Sequence, residues 1–268
     1  MVHVEMNKLK KLQKSLKNLR RVVVAYSGGL DSTFLLKTAI DTLGRENVLA
    51  VTARSKTYPV FEYKEAAGLA KRLGARHVTL HTEELKVRNF KSNPVNRCYY
   101  CKKELFKKLN DIKTRHSMAF IIDGTNFDDL KDIRYGRKAA VESGVRSPLL
   151  EAGMGKADIR RSSKSLKLPT WDKPSFACLA SRIPFNDEIT VNGLRRIDKA
   201  ENYLRQLSFK QFRVRVHKDI ARIEILKAEF AKAVKMHERI AAKLKKLGFT
   251  YITLDLCGYR TGSMHETV

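Results

Sequence analysis

The sequence predicts an α/β protein: a domain built on a parallel sheet, followed by a smaller α+β domain. Three observations predict it. Short, fully apolar segments alternate with amphipathic ones through the first half of the chain, the pattern of parallel strands covered by helices on both faces. Glycine and proline punctuate residues 144–177. Beyond Pro184 the order changes to helix, strand, strand, helix, strand. The expected boundary puts residues 1–180 in the first domain and 181–268 in the second, with a site between them. At 268 residues, 43% hydrophobic and 31% charged, the chain can bury substantial cores and is not a disordered chain.

Residues 4–20 place Leu9, Leu12, Leu16 and Leu19 at helical spacing, with lysines on the other faces. The plain reading is an amphipathic helix packed on the domain; the rival is a basic arm for nucleic acid or membrane. Residues 21–26 form a β-branched strand that runs into Ser-Gly-Gly-Leu-Asp-Ser-Thr, and 32–43 read as a helix. Strands at 48–53 and 77–81 flank a helix at 61–73, and a helix at 101–115 precedes the apolar strand 119–123. A short helix is expected at 156–166. In the second domain the pattern predicts a helix at 191–207, strands at 211–217 and 222–226, one long helix at 228–247 and a strand at 251–256.

Lys plus Arg number 54 and Asp plus Glu 28, a formal charge of +26. Such a surface favours nucleotides, phosphorylated metabolites, RNA or acidic membranes without choosing among them. No apolar run approaches the roughly 20 residues that span a bilayer, so a cytoplasmic protein with no membrane partner is expected. Four cysteines do not make a disulfide scaffold and point to free, metal-bound or catalytic thiols.

The strongest local feature is Ser27–Thr33 at a strand-to-helix turn. Gly28 and Gly29 allow close approach of the backbone to a phosphate, and the helix start offers unpaired N–H groups. Ser27, Ser32 and Thr33 add hydroxyls; Asp31 suits a cation or a helix cap. No Gly-Lys-Ser/Thr follows, so the Walker pattern is absent. Asp123, Gly124, Thr125 and Asn126 end a strand, where parallel sheets bind ligands. Asp128 and Asp129 read as turn acids, with a magnesium or ribose contact as the alternative. Cys98 and Cys101 form a CxxC, open to zinc, redox or cluster chemistry. Cys178 stands in Ala-Cys-Leu-Ala-Ser-Arg; three thiolates would suit a 4Fe–4S cluster with one open iron. Cys257 ends a distant strand as a candidate fourth ligand. Arg213 and Arg215 alternate on one strand, with Glu224 on the next. They form either a cross-strand ion pair on a solvated face or a clamp for a phosphate. Trp171 is expected as a packing anchor.

Ser27–Thr33 resembles the PP-loop of ATP pyrophosphatases. From there through NRCYYCKKELF, DGTNFDD, SPLLEAG, KADIRRSSKSLKLPTWDKP, ACLASRIP and RVRVHKDIARIE, the chain resembles the sulfurtransferases of nickel-pincer cofactor biosynthesis, which act on pyridinium-3,5-biscarboxylic acid mononucleotide. The resemblance spans roughly residues 20–225, and two positions depart from it: Tyr135 where Pro is expected and Asn186 where Gly is expected. It implies ATP and Mg²⁺ bound at Ser27, Gly28, Gly29, Asp31, Ser32 and Thr33, with Asp123 and Thr125 beside them. It implies a carboxylate adenylated with release of pyrophosphate, then displacement of AMP by sulfur. Cys178 is implied as the sulfur residue, lost to dehydroalanine in one branch; in the other, Cys98, Cys101 and Cys178 hold a 4Fe–4S cluster. Ser181, Arg182, Glu201, Arg213, Arg215 and Glu224 are implied at the site of a small anionic mononucleotide, in a homo-oligomer whose sulfide donor is unknown. A tRNA thiolase of the same chemistry is the runner-up, and a non-catalytic basic nucleotide- or RNA-binding protein is the rival of another class.

Overall fold

The computed structural model describes residues 2–130, 135–174, 177–260 and 262–266. In chain order these fold as α1 (Val2–Leu19), β1 (Val22–Ala25), α2 (Leu30–Leu43), β2 (Val48–Arg54), α3 (Val60–Arg72), β3 (Arg76–His81), α4 (Arg88–Lys91), α5 (Arg97–Arg115), β4 (Phe120–Ile122) and α6 (Tyr135–Glu142). There follow α7 (Pro148–Glu151), α8 (Lys156–Ser165), α9 (Val191–Gln206), β5 (Phe212–His217), β6 (Ile220–Ile225), α10 (Phe230–Lys235), α11 (His237–Lys246) and β7 (Tyr251–Leu254). The chain divides into two units. One comprises Met1–Glu84 and Asn96–Phe176, the other Leu85–Val95 and Ala177–Val268.

In the first unit a four-stranded, all-parallel sheet runs in the order β3-β2-β1-β4. The central strand β1 is fully apolar because both faces are covered, whereas the edge strand β3 (RHVTLH) is only half-buried. Val22 and Val24 pack with Leu12, Leu16 and Leu19 of α1 and Phe34 and Leu35 of α2 on one face. Val23, Leu49 and Val51 pack with Phe106, Leu109 and Ile112 of α5 on the other. Helix α1 is thus the packed amphipathic helix, its leucines buried and Lys10, Lys11, Lys14 and Lys17 exposed. Each buried leucine contributes about 1.5–3 kcal/mol, which holds α1 to the sheet without a ligand. Strand order reverses at β1: β2 lies on one side and β4 on the other. In open parallel sheets such a reversal is where ligands bind, at the carboxyl ends of the strands.

The second unit has a three-stranded sheet, β5-β6-β7, antiparallel between β5 and β6 and parallel between β6 and β7. A parallel neighbour needs a crossover, which α10 and α11 supply. The single helix expected at 228–247 is in fact a 3₁₀ turn at Lys227–Glu229 and two helices separated at Met236. Ala233 from one half and Ile240 and Leu244 from the other enter the same core, so the apolar spacing runs across the break and gives no sign of it. Leu85–Val95 belongs with this unit because Asn93 Nδ2 donates to the carbonyl of Pro184 at 2.6 Å, Asn186 N to Asn93 O at 2.9 Å and Ile189 N to Lys91 O at 2.9 Å. Sequence pattern, which reads neighbours, could not assign a segment joined to residues about ninety positions away.

Candidate functional site

In the first unit the chain leaves β1 and turns into α2 through Ser27, Gly28 and Gly29. Gly28 adopts φ +67, and a Cβ there would lie 2.6 Å from Ala66 Cβ and 2.8 Å from Ala66 Cα. Only glycine satisfies both the left-handed backbone and the contact with α3. Gly29 is the N-cap of α2, in extended conformation and with no side-chain cap. The first helical bond is Thr33 N to Gly29 O at 3.0 Å. The N–H groups before it lie at the positive end of the helix dipole, the arrangement that receives phosphate. Asp31 lies inside the first turn of α2, so the alternative of a helix cap is excluded.

The hydroxyls behave differently from expectation. Ser27 Oγ and Ser32 Oγ share a hydrogen bond of 3.0 Å, and Ser27 N donates to Ser32 Oγ at 3.2 Å, so this pair closes the loop on itself. Thr33 is fully buried. Tyr26 lies beside it, its phenol pushed up to about 12 by burial, partly opposed by Thr33 and by Arg72. Thr33 thus belongs to the floor of the loop and not to its open face.

Two side chains outside the motif brace the loop. Tyr58 Oη donates to Ser27 O at 2.6 Å. Lys173 reaches Gly28 O at 3.5 Å and binds Glu62 at 2.7 Å and Glu65 at 3.0 Å. Burial would lower the Lys173 pKa, but the two carboxylates reverse this and raise it. Neither was legible in sequence, because Lys173 lies 111 residues from Glu62. The loop after β4 comes close to α2: a Cβ on Gly124 would lie 3.0 Å from Ser32 N. Asp123 is held by Thr125 N at 3.2 Å, Thr125 Oγ1 at 2.9 Å and Ser147 Oγ at 2.8 Å. Asp128 accepts from Lys156 N at 2.7 Å at the start of α8, and Asp129 from Asn126 N at 3.1 Å. Both are the turn acids expected. Trp171 is 38% exposed beneath Lys164, 4.8 Å from its ring centre, and is no core anchor.

Cys98 and Cys101 both lie on α5, which begins at Arg97 and not at Cys101 as expected. Their i, i+3 spacing puts them on one face. Cys98 is exposed and Cys101 half-buried. Tyr135 opens α6, and a Cβ on the next residue, Gly136, would lie 3.0 Å from Lys102 Cγ. Residues 131–134, immediately before Tyr135, lie outside the described residues.

In the second unit Cys178 precedes the 3₁₀ turn Leu179–Arg182. Its carbonyl accepts from Ser181 Oγ at 2.8 Å, Ser181 N at 3.0 Å and Arg182 Nη1 at 3.0 Å. Arg182 is 0% exposed. Its Nε and Nη2 bind Glu201 Oε1 and Oε2 at 2.8 and 2.9 Å, and Nη1 also binds Ala177 O and Ser181 Oγ. Glu201 further accepts from Val214 N at 3.1 Å. Burial would raise the Glu201 pKa, but Arg182 outweighs it and holds the carboxyl below its usual range. Arg182 and Glu201, both expected at the substrate, form a buried pair that clamps the Cys178 turn to α9 and β5.

Arg213 and Arg215 have different partners within the unit. Arg215 donates to Glu224 Oε2 and Ser181 O, each at 2.9 Å, and the ion pair is buried, at 7% and 0% exposure, not on a solvated face. Arg213 lies over Tyr259, 5.2 Å from the ring centre. Burial, then the charge of Arg182, lowers its pKa. Asn186 has φ +68. Asparagine tolerates this region, so the replacement of glycine there preserves the backbone. Cys257 is exposed in the loop after β7. Among the described residues no three of His, Cys, Asp or Glu are gathered as a metal site within either unit, and no helix is long and apolar enough to cross a membrane.

A family model described as NAD synthase matches residues 3–128, the segment holding the loop and the parallel sheet. A pyridinium-3,5-bisthiocarboxylic acid mononucleotide synthase from Lactiplantibacillus plantarum is 41% identical over 254 residues, 95% of this chain and 92% of its own. The chain belongs to that synthase family. An uncharacterized protein of Synechocystis is 41% identical over 98% of both chains. An uncharacterized protein of Methanocaldococcus jannaschii is 31% identical over 96% of this chain and 99% of its own. The family match therefore spans both units, not the nucleotide-binding half alone.

Proposed function

We propose that this member of the synthase family is an ATP-dependent sulfurtransferase acting on a carboxylate of pyridinium-3,5-biscarboxylic acid mononucleotide. The observation that carries the reading is the uncapped start of α2 behind Gly28 and Gly29, at the reversal of strand order, in a chain 41% identical over 95% of its length to a synthase of the bisthiocarboxylic product. The backbone of Gly28–Ser32 binds the ATP phosphates, Asp31 serves Mg²⁺, and Asp123 and Thr125 face the nucleotide. A substrate carboxylate oxygen attacks the α-phosphorus, the bond to the β-phosphate oxygen breaks, and pyrophosphate leaves. Adenylation is needed because an oxide is a very poor leaving group and AMP a good one. A sulfur nucleophile at Cys178 then attacks the acyl carbon and AMP departs. Arg213 binds the substrate phosphate, and Arg215 with Ser181 sets the Cys178 turn.

If Cys178 itself supplies the sulfur, a thioester forms on it. Removal of its Cα proton then breaks the Cβ–S bond, leaving a thiocarboxylate and dehydroalanine. The donor chemistry of Cys98 and Cys101, two thiols on one helical face, also fits two ligands of a 4Fe–4S cluster, with Cys178 as the third. Such a cluster would supply sulfide without loss of Cys178. Anaerobic reconstitution, with iron and sulfide analysis and the mass of the Cys178 peptide after turnover, distinguishes the two. A loss of about 34 Da, the mass of H₂S, with one turnover marks the sacrificial course; an intact peptide with many turnovers marks the cluster.

A further inference from the structure

Beyond the residues expected at the site, the segment at 262–266 reaches the same network. Ser263, 3% exposed, donates from Oγ to Glu224 Oε1 at 2.7 Å. Glu224 Oε2 accepts from Arg215 Nη2, and Arg215 Nη1 donates to Ser181 O, in the turn that follows Cys178. The second contact on Glu224 Oε1 is Arg222 Nη2 at the longer distance of 3.3 Å, and Arg222 Nη2 also lies 3.7 Å from Met264 Sδ. Gly262, at φ +84, turns the chain back into this position. A fully buried carboxylate needs all its donors. Removing the shortest leaves Glu224 free to rotate and take Arg215 with it.

We infer that Ser263 is a positioning residue: through Glu224 and Arg215 it fixes the turn that carries Cys178. The inference rests on the reading of Cys178 as the sulfur residue for its effect on turnover, but not for its effect on the thiol. The test uses the full chain as wild type, Ser263→Ala and Ser263→Thr. Alkylation of Cys178 by iodoacetamide is followed by peptide mass spectrometry, with Cys98 as internal reference. In Ser263→Ala the ratio of Cys178 to Cys98 rates should change by roughly threefold or more, a part of the one to two orders of magnitude that a hydrogen bond to a charged group is worth, since the effect reaches Cys178 through Glu224 and Arg215. The threonine variant should restore the wild-type ratio. Turnover should fall in kcat while the KM for ATP is unchanged. An unchanged alkylation ratio in Ser263→Ala, or a threonine variant that behaves like alanine, overturns the inference. Wild type without sulfur transfer, but with the altered ratio in Ser263→Ala, would sink the proposed reaction and leave the positioning role standing.

Discussion

Arg182 shows why residue identity does not give residue role. An arginine four positions after Cys178 reads as a substrate ligand, and the fold gives its guanidinium Glu201, two carbonyls and Ser181 as partners. Removing one partner of such a pair leaves a buried charge, so Glu201→Gln should cost about 3–5 kcal/mol in urea denaturation. The pH dependence follows from the lowered Glu201 pKa. A carboxyl more acidic in the folded state contributes stability that is fully present above its unfolded pKa of about 4.3. That stability is lost as pH falls through the folded value. Wild-type protein should lose this increment on acidification below about pH 4.3, and Glu201→Gln should not; equal acid slopes for the two would contradict the clamp. Arg213→Ala should weaken binding of the mononucleotide by about 1.5–3 kcal/mol in calorimetry, with ATP affinity unchanged. Arg215→Ala should also lower the melting temperature, because it strands Glu224.

The elements were largely legible, since the alternation of β-branched runs with amphipathic helices depends only on residues a few positions apart. The start of α5 was missed because Cys98, Tyr99 and Tyr100 carry no helix-start signal, and Asn96 makes no side-chain cap. The break at Met236 was hidden by continuous apolar spacing. The glycine turn before α2 was legible in Ser27–Gly29, but Tyr58, Lys173 and Ser263 reach their places only through the fold. Gly28→Ala meets both a positive φ and the backbone of Ala66. It should cost about 1–3 kcal/mol for the left-handed backbone alone and abolish ATP-dependent turnover. Ala66→Gly should not rescue it, because Ala66 Cα remains 2.8 Å from the added Cβ. In α5, Cys98→Ala changes an exposed side chain and should move stability by less than about 0.5 kcal/mol. A change in sulfur transfer would then report chemistry and not folding.

At the scale of the molecule, one unit carries the glycine turn at the reversal of strand order, and the other a clamped cysteine turn beside buried arginines. A charge of +26 favours anionic partners but does not choose a mononucleotide over RNA; the proposed mononucleotide rests on a family match covering both units. The central claim is that ATP activates a carboxylate for sulfur. The most direct measurement incubates the protein with ATP labelled at the α-phosphate and with pyridinium-3,5-biscarboxylic acid mononucleotide, then separates the nucleotides and weighs the acceptor. The account predicts labelled AMP, pyrophosphate and a thiocarboxylate in equal amounts, with no AMP when the mononucleotide is withheld and none from Asp31→Ala. Labelled ADP with free phosphate, or AMP formed without any sulfur entering the acceptor, would contradict it.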